Sequence, residues 1–560
     1  MIKRVHIKNF RSIEDCEFHP PKCCALIGEN SAGKTNLLCA LKAVLEKEWH
    51  RVTDFAPEDV TDCDREREVS IEVEFDPPPT YEAFKGTAPV PVPILQFLLT
   101  RYKINTARAE KGDLRLEGTP LSAKGKPIQV LAKLPKRGEV PTFKPLTSIP
   151  GELKSQVPVI YVSSDRRMHS QLPSSRYSLL RRLFEGIDEL VKRRPAPGTD
   201  GKMTIAELFV TKIREAVQVL RVPEFVELEE LLRRHSIENL GWNPDTDMDR
   251  FALRFGLQDS LDFFKAIHLL VKDGTFDADA TQLGDGAQNA LVVAIFQAYE
   301  ALRKEGAVFL IEEPEMYLHP HKCRLFYDTL RRISKTNQVI YTTHSPYFVA
   351  IPEYEEIRIV SRGAGGRTGM VASDLAPTPQ LREKLRKEFD PERNELFFAK
   401  HVILVEGDTE KLALPEYAER LAVPLHRLGI SIVEVGGKRS LQAFSEVVRS
   451  FRLPLTVVFD RDSSDFDRNQ KELEEEYNQR LRTLTELGVA VVEVDPRSEE
   501  ALRDFLGDAL YTKLCNRYPG VSKAVRARLI AADPEAPVPD FATRILTPFL
   551  PPAPAAAVAT

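Results

Sequence analysis

Little in this 560-residue chain invites a thiol-based reading. The seven cysteines, at 16, 23, 24, 39, 63, 323 and 515, form no C-x-x-C pair. That excludes a zinc ribbon or a disulfide frame, and the thiols read as reduced. No run of about 18 apolar residues occurs, so no membrane span is expected. The start, MIKRVHIKNFRSI, lacks an apolar signal core, and the cytoplasm is the expected compartment. Nothing repeats with a period of about 20–50 residues, which sets solenoids and propellers aside. Neither charge sign dominates: 78 Lys and Arg face 83 Asp and Glu, for a net charge of −5. A wholly basic coat is excluded, while local basic grooves stay open.

What is present suffices for sizeable cores. Hydrophobic residues make up 42%, ordinary for a globular chain of about two to four domains. Up to residue 95, short apolar strands alternate with one helix. From 97 to 160 the pattern is strands and turns, with eleven Lys and Arg against four Asp and Glu between Arg101 and Lys144. That stretch reads as a solvated edge or a DNA-facing ribbon. Residues 176–240 turn helical, with apolar residues three and four apart. A strand-helix style returns at about 250–360, and SRGAGGRTG (361–369) reads as a hairpin tip or linker. From 401, VILV, SIVEV, LTVVF and VAVVEV alternate with helical patterns, which predicts a smaller α/β unit with a mainly parallel sheet. The fold class is therefore α/β, with a helical insertion in the first part and a smaller parallel-sheet unit after it.

The first chemical motif is GENSAGKT (28–35), a match to G-x-x-x-x-G-K-[ST] between a strand, CCALI, and a helix, NLLCALKAVLEKEW. Such a loop turns backbone N–H groups toward phosphate at a helix N-terminus. Gly28, Asn30, Gly33, Lys34, Thr35 and Asn36 are the expected nucleotide-binding residues. Lys34 reaches the outer phosphates, and Thr35 is a ligand of the Mg²⁺ that accompanies ATP. AVFLIEEPEMYLHP (307–320) is an apolar strand ending in two carboxylates. Glu312 is assigned to the metal and Glu313 to the attacking water. QVIYTTHSPYFV (338–349) is another strand, ending at His344, which either touches the γ-phosphate or serves as a loop histidine.

With these motifs in order, the chain resembles the ABC-type ATPases of the SMC/RecF group. IKRVHIKNFRSIEDCEF is similar to their opening strands, and LGDGAQNALVVAIF (283–296) to their signature helix. The resemblance implies that Gly284 and Gly286 act on ATP held by another subunit. A Q-loop glutamine is not assigned; Gln171 and SSDRR (163–167) are candidates. The basic pairs of the helical segment read as solvated faces or as DNA contacts.

The second constellation begins at HVILVEGDTE. Glu406 ends an apolar strand and Glu410 lies in the first turn of the next helix. LTVVFDRDSSD ends another strand with Asp460 and Asp462. Parallel sheets gather such ends on one edge. Four converging carboxylates repel unless cations lie between them, and oxygen-only ligands suit Mg²⁺ or Mn²⁺, two ions being expected.

Glu-Gly-x-x-Glu, then Gly436–Gly437, then Asp-x-Asp resembles the Toprim domain. An ABC-type head joined to it through FDPERNELFFAKHVILVEGDTE resembles the OLD family of nucleases (overcoming lysogenization defect). That resemblance implies Mg²⁺- or Mn²⁺-dependent DNA cleavage, ATP-driven dimerisation, a role in phage defence or DNA processing, and room for a protein partner from a defence system. It also implies a later acidic residue, Glu499 or Glu500, the latter assigned to the metal, and a lysine, Lys523, that stabilises charge on phosphate. Glu406 is expected to serve catalysis as well as the metal. The expected domains are 1–175 and 246–395 for the ATPase, 176–245 for a helical, dimerising insertion, 396–548 for Toprim, and 549–560 for a disordered tail. The rival reading is an ATPase scaffold whose inert Toprim domain recruits a separate effector.

Overall fold

The computed structural model describes all residues except 47–53, 65, 102–113, 137–138, 165–177, 220, 240–259, 274–275, 303–305, 388–390, 462–467 and 551–560. Two compact units emerge. The first comprises Met1–Val159, Gly306–Glu315 and Cys323–Thr560; the second comprises Ile160–Glu305 and Met316–Lys322. No helix among the described residues is long and apolar enough to cross a membrane.

The first unit opens with an antiparallel sheet. Its strands are β1 (Ile2–Phe10), β2 (Ile13–Phe18), β4 (Val69–Phe75), β5 (Ile94–Arg101) and β6 (Leu114–Leu121), in the order β2-β1-β4-β5-β6. Val69–Phe75 alternates buried and half-buried positions, as a sheet with one covered face requires. β3 (Cys23–Ile27) belongs instead to a mainly parallel sheet and is buried at every position. It pairs with β8 (Gln338–Thr343) on one side and β9 (Ile357–Arg362) on the other. β7 (Val308–Glu312) continues beyond β8, and β10 (Thr368–Ala372) closes the far side antiparallel to β9. The glycine-rich stretch 361–369 is thus the tip of the β9–β10 hairpin. α1 (Lys34–Leu45) follows the phosphate loop and buries Leu37, Leu38, Leu41 and Val44, spaced three and four apart.

The Toprim-like part of the same unit is a four-stranded sheet, β12-β11-β13-β14, parallel throughout. Its strands are β11 (His401–Val405), β12 (Ile430–Glu434), β13 (Leu455–Asp460) and β14 (Ala490–Val494). Val402–Val405 are fully buried, the expected result for a strand covered on both faces. One cover includes Leu414 and Tyr417 from α2 (Asp408–Arg420), with Ile545 and Leu546 near the C-terminus. Phe549, the first residue of the expected tail, stacks edge-on against His401, with ring centroids 4.7 Å apart. Apolar burial outweighs the low-complexity sequence that follows it.

The second unit carries the helices Leu179–Arg193, Ile205–Val219, Pro223–Asn239 and Asp285–Leu302. The first helix is fixed at Asp188, which accepts a hydrogen bond from Ser260 and pairs with Lys192 at 2.6 Å.

Candidate functional site

Two sites are built on the first unit. At the nucleotide loop, Gly28 and Gly33 hold φ of +143° and +107°. A Cβ on Gly28 would lie 1.9 Å from the Val360 carbonyl oxygen, and one on Gly33 would lie 2.1 Å from Thr368 Oγ1. Only glycine fits at either position. The β9–β10 hairpin therefore backs the loop, and Thr368 Oγ1 donates to the Ala32 carbonyl at 3.0 Å. Lys34 is 5% exposed, and its ammonium donates to the carbonyls of Gly28 (3.0 Å) and Glu29 (2.8 Å). Burial pushes its pKa down to about 8, against the opposing pull of Glu313 and Glu315. Thr35 and Asn30 are exposed on the loop. Asn36 commits its amide to Ser12 (2.8 Å) and Arg11 (3.2 Å), so it braces the loop from behind.

Glu312 ends β7, is 6% exposed, and lies in register with Thr342 of β8. Glu313 follows at φ +42°, a left-handed conformation that costs a non-glycine residue about 1–3 kcal/mol. Its amide is held by the Thr342 carbonyl at 3.0 Å and the Thr342 hydroxyl at 3.1 Å. The turned backbone leaves the Glu313 carboxylate 4.0 Å from His344 Nε2. Burial, aided by the Lys34 charge, lowers the His344 pKa, so the ring is neutral at pH 7. The His344 amide donates to Glu315 Oε1 at 2.6 Å. Glu315 went unassigned in the sequence; the third carboxylate of E-E-P-E is its one local signal. Gly284 and Gly286 lie in the second unit, exposed, where Gly284 supplies the first acceptor of the Asp285–Leu302 helix. Gln171 and Asp165–Arg167 lie outside the described residues.

The second site lies where the Toprim strand order reverses, between β11 and β13, the usual ligand position of an open parallel sheet. Glu406 Oε2 accepts from the Asp460 amide at 3.4 Å, a long bond that places the two acidic residues together. Asp460 Oδ1 accepts twice from Ser498, from N–H at 2.9 Å and from Oγ–H at 2.7 Å. Ser498 opens α3 (Ser498–Leu506) and is 5% exposed. No local pattern in the sequence ties it to Asp460. Glu410 is 7% exposed and has no hydrogen bond or ion pair among the described residues. It faces a crevice shared with Ser498, Glu499, Tyr511, Lys523 and Arg526. Lys523 Nζ pairs with Glu499 at 2.8 Å, and the Tyr511 hydroxyl donates to Glu499 at 3.1 Å. The Glu499 bond holds the Lys523 pKa above its ordinary value, with a further contribution from Asp460.

The two candidates for the later acidic residue are placed differently. Glu500, the sequence assignment, is absent from the crevice lining, whereas Glu499 is present. Adjacent helical residues point about 100° apart, which turns Glu500 away from the face that Ser498 and Glu499 present. Asp462 lies outside the described residues. Among the described residues, no three His, Cys, Asp or Glu side chains are close enough to enclose a metal ion. The Glu406–Asp460 pair and the Glu410 carboxylate, which faces the crevice without a partner among the described residues, nonetheless fit a hard cation that takes its other ligands from water and phosphate. Mg²⁺ or Mn²⁺ there would polarise a phosphate oxygen and activate water. Ser498 orients Asp460, and Tyr511 orients Glu499 toward the Lys523 ammonium.

Comparisons with known proteins match both parts of the chain. A model described as "AAA ATPase domain" matches residues 1–143 and 233–349. A model described as "Overcoming lysogenization defect protein-like, TOPRIM domain" matches 397–462. An OLD nuclease of Thermus scotoductus is 29% identical over 521 residues, covering 90% of this chain and 92% of that protein. The endonuclease GajA of Bacillus cereus is 22% identical over 447 residues, 77% of this chain and 70% of its own length. The Old nuclease of Escherichia phage P2 is 27% identical over 204 residues, about a third of each chain. An ATPase part followed by an OLD-like Toprim domain, with one relative matched along nine-tenths of the chain, makes this chain similar to the OLD nucleases in both of its parts.

Proposed function

We propose that this chain is an ATP-regulated, divalent-metal-dependent DNA endonuclease that acts in phage defence or DNA processing. The observation that carries the reading is the meeting of Glu406 and Asp460 at the Toprim switch point, with the Glu410 carboxylate on the adjoining crevice. Glu406, Glu410, Asp460 and Asp462 hold Mg²⁺ or Mn²⁺, with Glu499 as the later acidic ligand. Lys523 offsets charge that builds on the phosphate during cleavage. Lys34 and Thr35 hold ATP and its Mg²⁺, Glu312 holds that metal through water, and Glu313 orients the attacking water beside a neutral His344. The names of the relatives, two OLD nucleases and an endonuclease, support the reaction class.

A homo-oligomer completes the ATP site through Gly284 and Gly286. Val219, Val222 and Val226 of the helical insertion are 78%, 49% and 44% exposed, an apolar face suited to a second copy. The test is cleavage of supercoiled plasmid with Mg²⁺, Mn²⁺ or EDTA, over a salt series. Cleavage that needs metal and falls steeply with salt supports the reading. Its absence with every metal, in protein that hydrolyses ATP, supports the scaffold reading instead.

A further inference from the structure

The segment PERNELFFAK (391–400) leads into the first Toprim strand and carries two adjacent residues that hold different loops. Asn394 is fully buried. Its Nδ2 donates to the carbonyls of Pro346 and Val349, both at 2.8 Å, and its Oδ1 accepts from the Ile351 amide at 3.2 Å. All three groups belong to the chain that leaves His344. Arg393 is bound elsewhere. Its Nη2 donates to both oxygens of Glu434, at 2.8 and 2.9 Å. Glu434 ends β12, and its Oε2 also accepts from the Gly436 amide at 2.8 Å. The next amide, of Gly437, donates to the Glu406 carbonyl at 2.9 Å.

A short path of hydrogen bonds thus runs from the loop after His344 to the backbone of Glu406. Both ends are stiff. Removing the Asn394 amide would leave buried backbone groups unsatisfied, and the Arg393 contact is charge-assisted and largely shielded from water. Two neighbouring residues in one helical turn cannot move independently, so a shift at one loop is felt at the other. A second bridge, from Glu29 of the phosphate loop to Lys400 before the Toprim strand, is 2.8 Å long with its side chains 64% and 62% exposed. Solvent and salt screen such a pair.

We infer that Arg393 and Asn394 are positioning residues that couple the two sites, and that the state of the His344 loop sets the geometry of the Glu406 loop through them. The inference rests on the reading of ATP-regulated cleavage and names the contact through which that regulation passes.

The test compares wild type, Arg393→Gln, Glu434→Gln and the double variant. For each, plasmid cleavage at fixed Mn²⁺ is measured with and without ATP, alongside ATP hydrolysis. Hydrolysis is expected to stay within about twofold of wild type, because neither residue touches nucleotide. The ratio of cleavage rates with and without ATP is expected to move toward one in both single variants, by about fivefold or more. The double variant should be no worse than either single one, because all three break the same contact. A wild-type ratio retained in Arg393→Gln overturns the coupling role. So does an equal drop in cleavage with and without ATP, the mark of a merely structural contact. A wild-type ratio of one is a separate failure: it removes ATP control itself, and the inference with it. Asn394→Ala is expected to lose stability as well, so the Arg393 and Glu434 variants carry the decision.

Discussion

Ser498→Ala removes one hydroxyl and should weaken the hold on metal at the second site. In the native protein Asp460 Oδ1 accepts from both the backbone and the hydroxyl of Ser498, which fixes the carboxylate plane. The substitution keeps the 2.9 Å backbone bond and loses the 2.7 Å hydroxyl bond. A hydrogen bond to a charged group is worth about 1.5–3 kcal/mol. At about 1.4 kcal/mol per factor of ten, that is about 10- to 100-fold in metal affinity, the range measured for groups that orient ligands from behind. The assay is the Mn²⁺ concentration for half-maximal plasmid cleavage, paired with calorimetric Mn²⁺ binding in the absence of DNA. Both midpoints should rise together by at least about tenfold. Thermal unfolding controls for lost packing, since Ser498 is 5% exposed. A midpoint within about twofold of wild type, in a folded variant, would refute the claim that Ser498 orients a metal ligand.

Three further outcomes follow from the geometry. Lys34 titrates near 8 when no nucleotide is bound, and phosphate favours its charged form, so ATP binding above pH 8 must take up a proton. Apparent ATP affinity should therefore fall as pH rises through 8, approaching about tenfold per pH unit, with proton uptake seen by calorimetry in two buffers; flat affinity contradicts the assignment. Gly33→Ala puts a methyl 2.1 Å from Thr368 Oγ1 at φ +107°, and ATP hydrolysis should fall below about a tenth of wild type. Glu499→Gln should cut cleavage at least about tenfold while Glu500→Gln stays within about twofold; the reverse order in a kinetic comparison restores the sequence assignment.

Legibility in the sequence followed the range of the interaction. The nucleotide loop is contiguous, and its strand, its helix and its glycines are local requirements, so GENSAGKT could be read directly. The two central Toprim strands, β11 and β13, are visible because strands buried on both faces must be apolar at consecutive positions. Glu406 and Asp460 could be paired because each ends such a strand. Ser498, Glu315 and Asn394 could not be read, because each acts on backbone or carboxylate groups far along the chain, with no periodicity to mark them. Glu499 and Glu500 are adjacent and chemically alike, and only the phase of their helix separates them. Phe549 was hidden by the proline- and alanine-rich tail behind it.

The central claim is that Glu406 and Asp460 belong to a working metal-dependent nuclease under the control of the ATP site. Supercoiled-plasmid cleavage by wild type and Asp460→Ala, with Mg²⁺, Mn²⁺ or EDTA and with or without ATP, tests it most directly. The account predicts cleavage by wild type that needs metal, changes with ATP, and disappears in Asp460→Ala while ATP hydrolysis persists. Undiminished cleavage by Asp460→Ala, or none by wild type in any metal, would contradict it.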